Sequence, residues 1–150
     1  MIARVPYDAS VDPPAPMVPV RIAGPVGDEA VMLPMLVDTG AECTLVPALL
    51  ARQLGLPQID VIGITGVGGG RTRTAVHAAS VELGGLRMLA RIVAFADEAI
   101  LGRDILNQAV VTLDGPGLAI SIDSRASRRA GRSAGGRARG RRPRRGPSAR

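Results

Sequence analysis

At 150 residues the chain has room for one folded unit, and 46% apolar residues suffice for a modest core. With no Trp, one Phe and one Tyr, Val, Ile, Leu, Ala and Met must fill that core, while 19 Gly and 12 Pro favour strands and turns over long helices. The net charge of +6 divides unevenly, because residues 1–123 carry 8 Arg against 13 acids and residues 124–150 carry 11 Arg and no acid.

Every basic residue apart from His77 is an Arg, which suits bidentate contacts to carboxylate or phosphate and is equally explained by genomic base composition. A lone cysteine, Cys43, excludes an intramolecular disulfide, and with a single histidine there is no recognisable structural zinc set. The first eight residues lack the apolar stretch of a signal peptide. The longest apolar run, residues 30–37, contains Pro34 and is too short to span a bilayer. A cytoplasmic protein without membrane contact is the expectation.

Along the chain, residues 1–16 carry Pro6, Pro13, Pro14 and Pro16 and read as a Pro-rich, irregular N-terminal arm. The folded domain is expected over 17–123. Its first strands are Met17 to Ala23 and Ala30 to Val37, joined by a tight loop, with Pro34 tolerable only at an edge or bulge. Pro47 to Gly55 is the clearest helix, with Pro in the first turn and Gly where a C-cap belongs. Ile59 to Ile64 and Arg71 to Val81 flank a glycine-rich tip and form a hairpin, and Gly84-Gly85 turns the chain into a strand over Leu86 to Phe95. Arg103 to Gln108 is long enough for a helical turn or two. Ala109 to Leu113 and Leu118 to Ile122 flank the turn Asp114-Gly115-Pro116-Gly117. Residues 124–150, composed of Arg, Gly, Ala, Ser and Pro, read as a disordered Arg-rich tail.

The sharpest chemical feature is Leu36-Val37-Asp38-Thr39-Gly40-Ala41, a carboxylate delivered by an apolar strand into a turn of small residues. An Asp that merely caps its own turn accounts for the tripeptide alone. Two further elements follow in order: the glycine hairpin Gly66-Val67-Gly68-Gly69, and Ile100-Leu101-Gly102-Arg103-Asp104-Ile105-Leu106. With Leu36 to Pro47 (LVDTGAECTLVP), these three resemble the retropepsin family of aspartic proteases over roughly residues 17–122. The resemblance implies an all-β, small closed barrel-like fold with one or two short helices, working as a homodimer on a peptide substrate and requiring no metal and no cofactor. By the same resemblance Asp38 is the catalytic carboxylate, Thr39 locks the two active-site loops, and Gly40 lies close to substrate. Ala41 and Glu42 would line the substrate site, and Gly66, Val67, Gly68 and Gly69 would form a flap tip. Ile100, Leu101 and Gly102 would support the loop from beneath, with Arg103 starting a helix and pairing with Glu42. Many relatives have Asp where this chain has Glu42.

Other readings stand beside these. The glycines at 63, 66, 68, 69 and 70 could cradle a phosphate, but no Lys follows and the next segment alternates like a strand. Arg103 could be a plain solvated charge. Cys43 with His77 could form a nucleophilic pair, although an inert Cys and a surface His explain both. The tail is either a solvated appendage or a tether to nucleic acid or another acidic partner. Two function classes result: an aspartic endopeptidase, and a non-catalytic dimeric peptide-binding module with a nucleic-acid-binding tail.

Overall fold

The computed structural model describes residues 2–27, 29–66 and 68–124. The Arg-rich tail beyond Ser124 and Val67 of the expected flap tip therefore lie outside the described residues. Ten strands and two short helices follow in the order β1 (Ile2–Pro6), β2 (Met17–Ala23), β3 (Ala30–Val37), β4 (Leu45–Val46), α1 (Ala48–Gln53), β5 (Gln58–Thr65), β6 (Arg71–Leu83), β7 (Leu86–Ala94), β8 (Ile100–Leu101), α2 (Arg103–Leu106), β9 (Val110–Asp114) and β10 (Ala119–Asp123). The fold is mostly β, as the glycine and proline content suggested.

Seven strands make one sheet in the order β2-β3-β8-β4-β7-β6-β5, and a further pairing joins Arg21–Ala23 of β2 to Ser80–Glu82 of β6. Alternation does the sorting. Val18, Val20 and Ile22 from β2 and Ala79, Val81 and Leu83 from β6 enter a core completed by Met35, Ile92, Leu101, Ile105, Ile120 and Ile122. Burying each of the larger side chains contributes about 1.5–3 kcal/mol, so branched aliphatics replace the missing aromatics. Two prolines of the larger sheet, Pro19 and Pro34, oppose each other directly. Since Leu36, two residues beyond Pro34, sends its N–H away from β2 to the Ala99 carbonyl (2.9 Å), position 34 also points its nitrogen outward. There β8 is too short to need the missing donor, because along β3 it pairs only with Leu36 and Val37.

The expected irregular N-terminal arm is corrected over its first residues. Ile2–Pro6 is a strand that pairs along its whole length with β10, giving a second sheet in the order β1-β10-β9. Proline counting misled here because Pro6 sits at the strand's end on an edge, where no donor is demanded. Asp8 and Ala15 then exchange N–H···O bonds at 2.8 and 3.0 Å, closing a loop that returns the chain to Pro16 beside β3.

Local chemistry sets the ends of the other elements. Pro47 precedes α1, and Gly55 at φ +57 closes it, with Gly55 N–H on the Arg52 carbonyl and Leu56 N–H on the Ala51 carbonyl, both at 3.0 Å. That pair of bonds is a Schellman motif, and Leu56 is buried as the motif's apolar anchor. Gly84 and Gly85, at φ +55 and +83, make the tight β6–β7 hairpin. No helix among the described residues is long and apolar enough to cross a membrane.

Candidate active site

Strand β3 ends in a grip from both sides. Val37 donates its N–H to the Pro16 carbonyl at 2.9 Å, while Leu36 and Asp38 donate theirs to Ala99 and Leu101 at 2.9 and 3.1 Å. Asp38 therefore leaves the sheet at a fixed point, half-buried, with Thr39 and Gly40 exposed after it. Its Oδ1 accepts the Gly40 N–H at 2.8 Å and its carbonyl accepts the Ala41 N–H at 3.3 Å. A Cβ at position 40 would stand 3.1 Å from Oδ1, so glycine keeps that side of the carboxylate clear.

Beneath this turn lies a clasp that sequence reading did not single out. Thr44 is fully buried, and its N–H and hydroxyl donate to the two oxygens of Asp104 at 3.0 and 2.7 Å. The same hydroxyl accepts the Gly102 N–H at 3.0 Å, and the Ala41 carbonyl accepts the Arg103 N–H at 3.0 Å. The loop after Asp38 is thus tied at several points to the turn opening α2, sixty residues on. Gly102 is packed against the loop so closely that a Cβ there would lie 2.5 Å from the Cys43 carbonyl carbon and oxygen. The signals were present: Thr44 is the one polar residue entering an apolar strand, and Asp104 sits in a first helical turn, but nothing local links them.

The expected site residues are placed as follows. Ile100 and Leu101 form β8, parallel to Leu36–Val37, and Gly102 precedes α2. Arg103 opens α2 with its guanidinium 3.7 Å from the Glu42 carboxylate, and these side chains are 48% and 89% exposed. So exposed a pair contributes little to stability. Gly66, Gly68 and Gly69 lie in the tip between β5 and β6, where Gly69, at φ +77, donates its N–H to the Gly66 carbonyl at 2.9 Å. Within one chain no hydrogen bond or ion pair among the described residues joins this tip to the Asp38 loop.

Burial first, and then the carboxylates of Asp104 and Glu42 beside it, push the neighbouring Cys43 thiol above the ordinary cysteine value. His77 donates its Nδ1–H to the Leu56 carbonyl at 2.9 Å, and no hydrogen bond among the described residues joins it to Cys43. Among the described residues no group of three or more His, Cys, Asp or Glu side chains could hold a metal ion.

A family model described as "Aspartyl protease" matches residues 18–110. Among solved structures, the protease of EIAV in complex with the inhibitor HBY-793 is 26% identical at a TM-score of 0.50, covering 69% of this chain and 92% of its own. A retropepsin-like aspartic protease from Rickettsia conorii is 16% identical at a TM-score of 0.53, covering 82% of this chain and 92% of its own, a likeness of fold. A comparison with curated proteins finds no match. The family match spans more than half of the chain and includes the gripped Asp-Thr-Gly turn and its clasp, so the chain belongs to the aspartyl protease family, in its retropepsin-like form.

Proposed function

We propose that the chain is an aspartic endopeptidase that acts as a homodimer, each copy supplying one Asp38. The observation that carries this is the state of the carboxylate. It is half-buried on a backbone held from both sides, with Oδ1 bonded to Gly40 and Oδ2 without a partner among the described residues. A carboxylate so presented is ready to share a proton with a second one. Two such groups about 3 Å apart cannot both ionise, so one is charged and takes a proton from water while the other hydrogen-bonds the developing oxyanion.

In this reading Thr39 and Gly40 complete the catalytic loop, and Ala41 and Glu42 border the peptide. The tip with Gly66, Val67, Gly68 and Gly69 closes over the substrate, while Ile100, Leu101, Gly102 and Arg103 hold the loop. The pairing of β2 with β6 supports a barrel-like closure of the larger sheet.

Asp38→Asn tests the reading cleanly, because the asparagine oxygen can still accept the Gly40 N–H. Cleavage of a mixed peptide library between about pH 4 and 7 should vanish while the thermal midpoint and the dimer fraction stay unchanged. A statine-type inhibitor should silence the wild type in the same assay. Full activity in Asp38→Asn overturns the assignment, and a dimeric wild type that binds peptides without cutting them leaves the non-catalytic module.

A further inference from the structure

The β5–β6 hairpin has two faces of different character. Register places Val61, Gly63 and Thr65 opposite Ala75, Arg73 and Arg71, so these six share one face, while Ile62, Ile64, Thr72 and Thr74 share the other. The second face looks toward the body of the protein: Ile62 and Ile64 are half-buried, and the Thr74 hydroxyl donates to the Ala94 carbonyl of β7. The first face looks away from it. There Val61, Gly63, Arg71 and Arg73 line a shallow hollow.

Three properties of this hollow point to a ligand. Neither guanidinium has a hydrogen bond or an ion pair among the described residues, a state shared with Arg21 and Arg52, whereas Arg4, Arg87, Arg91 and Arg103 have carboxylate partners; only Arg71 and Arg73 share one hollow. Two like charges are thus held on alternate residues of one strand in a domain that is otherwise net acidic. Next, Arg71 lies across Gly63, whose absent Cβ would stand 2.5 Å from the Arg71 Nε. The glycine is a window through which a β6 guanidinium reaches toward the outer edge of β5. Finally, β5 ends the seven-stranded order, so that edge is open. Val61 sends its N–H outward, where Asp60 Oδ1 takes it at 2.8 Å, and by alternation Gly63 and Thr65 also point theirs outward.

We infer that the outer edge of β5 is a second peptide-binding site, separate from the Asp38 site. It takes an extended acidic segment whose backbone pairs at Gly63 and Thr65 and whose carboxylates meet Arg71 and Arg73. Strand addition supplies the main-chain bonds, the two guanidiniums select acid, and Val61, 42% exposed, offers an apolar contact beside them. Two cations are too few to grip a nucleic-acid backbone, which engages many phosphates at once. An acidic stretch on a protein substrate, distant from the bond to be cut, fits the hollow better.

The test reads binding and not cleavage, so it is independent of the peptidase assignment. A fluorescent ten-residue peptide alternating Glu with Val is titrated into the full chain carrying Asp38→Asn, against the same peptide with Gln for Glu. The Glu peptide should bind more tightly, and its affinity should fall as salt rises. Arg71→Gln with Arg73→Gln should weaken it about tenfold, as two exposed charge contacts allow. Gly63→Val keeps both cations but displaces Arg71 and should weaken it severalfold, with the circular dichroism spectrum of each variant unchanged. Affinity unmoved in the double Gln variant overturns the proposal and places acid binding elsewhere on the chain. Equal binding of the Gln peptide overturns it too.

Discussion

A side chain added at Gly102 would bring its Cβ to 2.5 Å from the Cys43 carbonyl carbon, whereas one added at Gly66, Gly68 or Gly70 would meet no atom within 4 Å. Gly102 has φ −88 and ψ 177, a conformation open to any residue, so space alone demands glycine there. In the hairpin tip the demand is conformational at Gly69, at φ +77, and elsewhere in the tip it is neither spatial nor conformational. One region is packed until nothing can be added, and the other is left open on its surface. The contrast fits the proposed function, in which the carboxylate is held still and the hairpin tip closes over the peptide.

The largest effect is expected where packing is tightest. Gly102→Ala forces its methyl into backbone that cannot yield without displacing the Asp38 loop, and should cost about 3 kcal/mol in urea unfolding. A variant as stable as the parent would show that the loop is looser than its contacts indicate. Asp104→Ala comes next. It strips the acceptors from the buried N–H and hydroxyl of Thr44, for an expected loss of about 2 kcal/mol, and Asp104→Asn should recover part of it through its remaining oxygen. If Asp104→Ala unfolds at the parent's urea midpoint, the clasp is not what holds the loop.

What could be read from the sequence follows the range of the interactions. The α1 stop at Gly55, the Gly84-Gly85 turn and the Asp38 strand end are written in adjacent residues, and reading along the chain finds them. The Thr44–Asp104 clasp spans sixty positions and joins two side chains that are individually ordinary. No periodicity marks it, and it emerges only when β8 is laid beside β3 and β4. Strand β1 escaped for a different reason, since it belongs to a stretch whose four prolines carry the composition of an irregular segment while its partner, β10, is more than a hundred residues away. The two-residue strands β4 and β8 have too few residues to alternate at all.

The smallest effect on stability is expected in the hairpin, and it sharpens the comparison most. Gly68→Ala meets open space at an ordinary φ, so its unfolding free energy should match the parent within about 0.5 kcal/mol. Its effect should fall on function: a less pliable tip slows closure over the peptide, and kcat/KM for a short neutral peptide should drop severalfold at unchanged stability. Gly102→Ala should instead lose stability and activity together. A Gly68→Ala chain that loses stability as Gly102→Ala does would mean the tip is packed against a surface that one chain does not show, such as a second copy. Unchanged stability with unchanged kcat/KM would remove the tip from the catalytic cycle and leave Asp38 with a fixed, uncovered cleft.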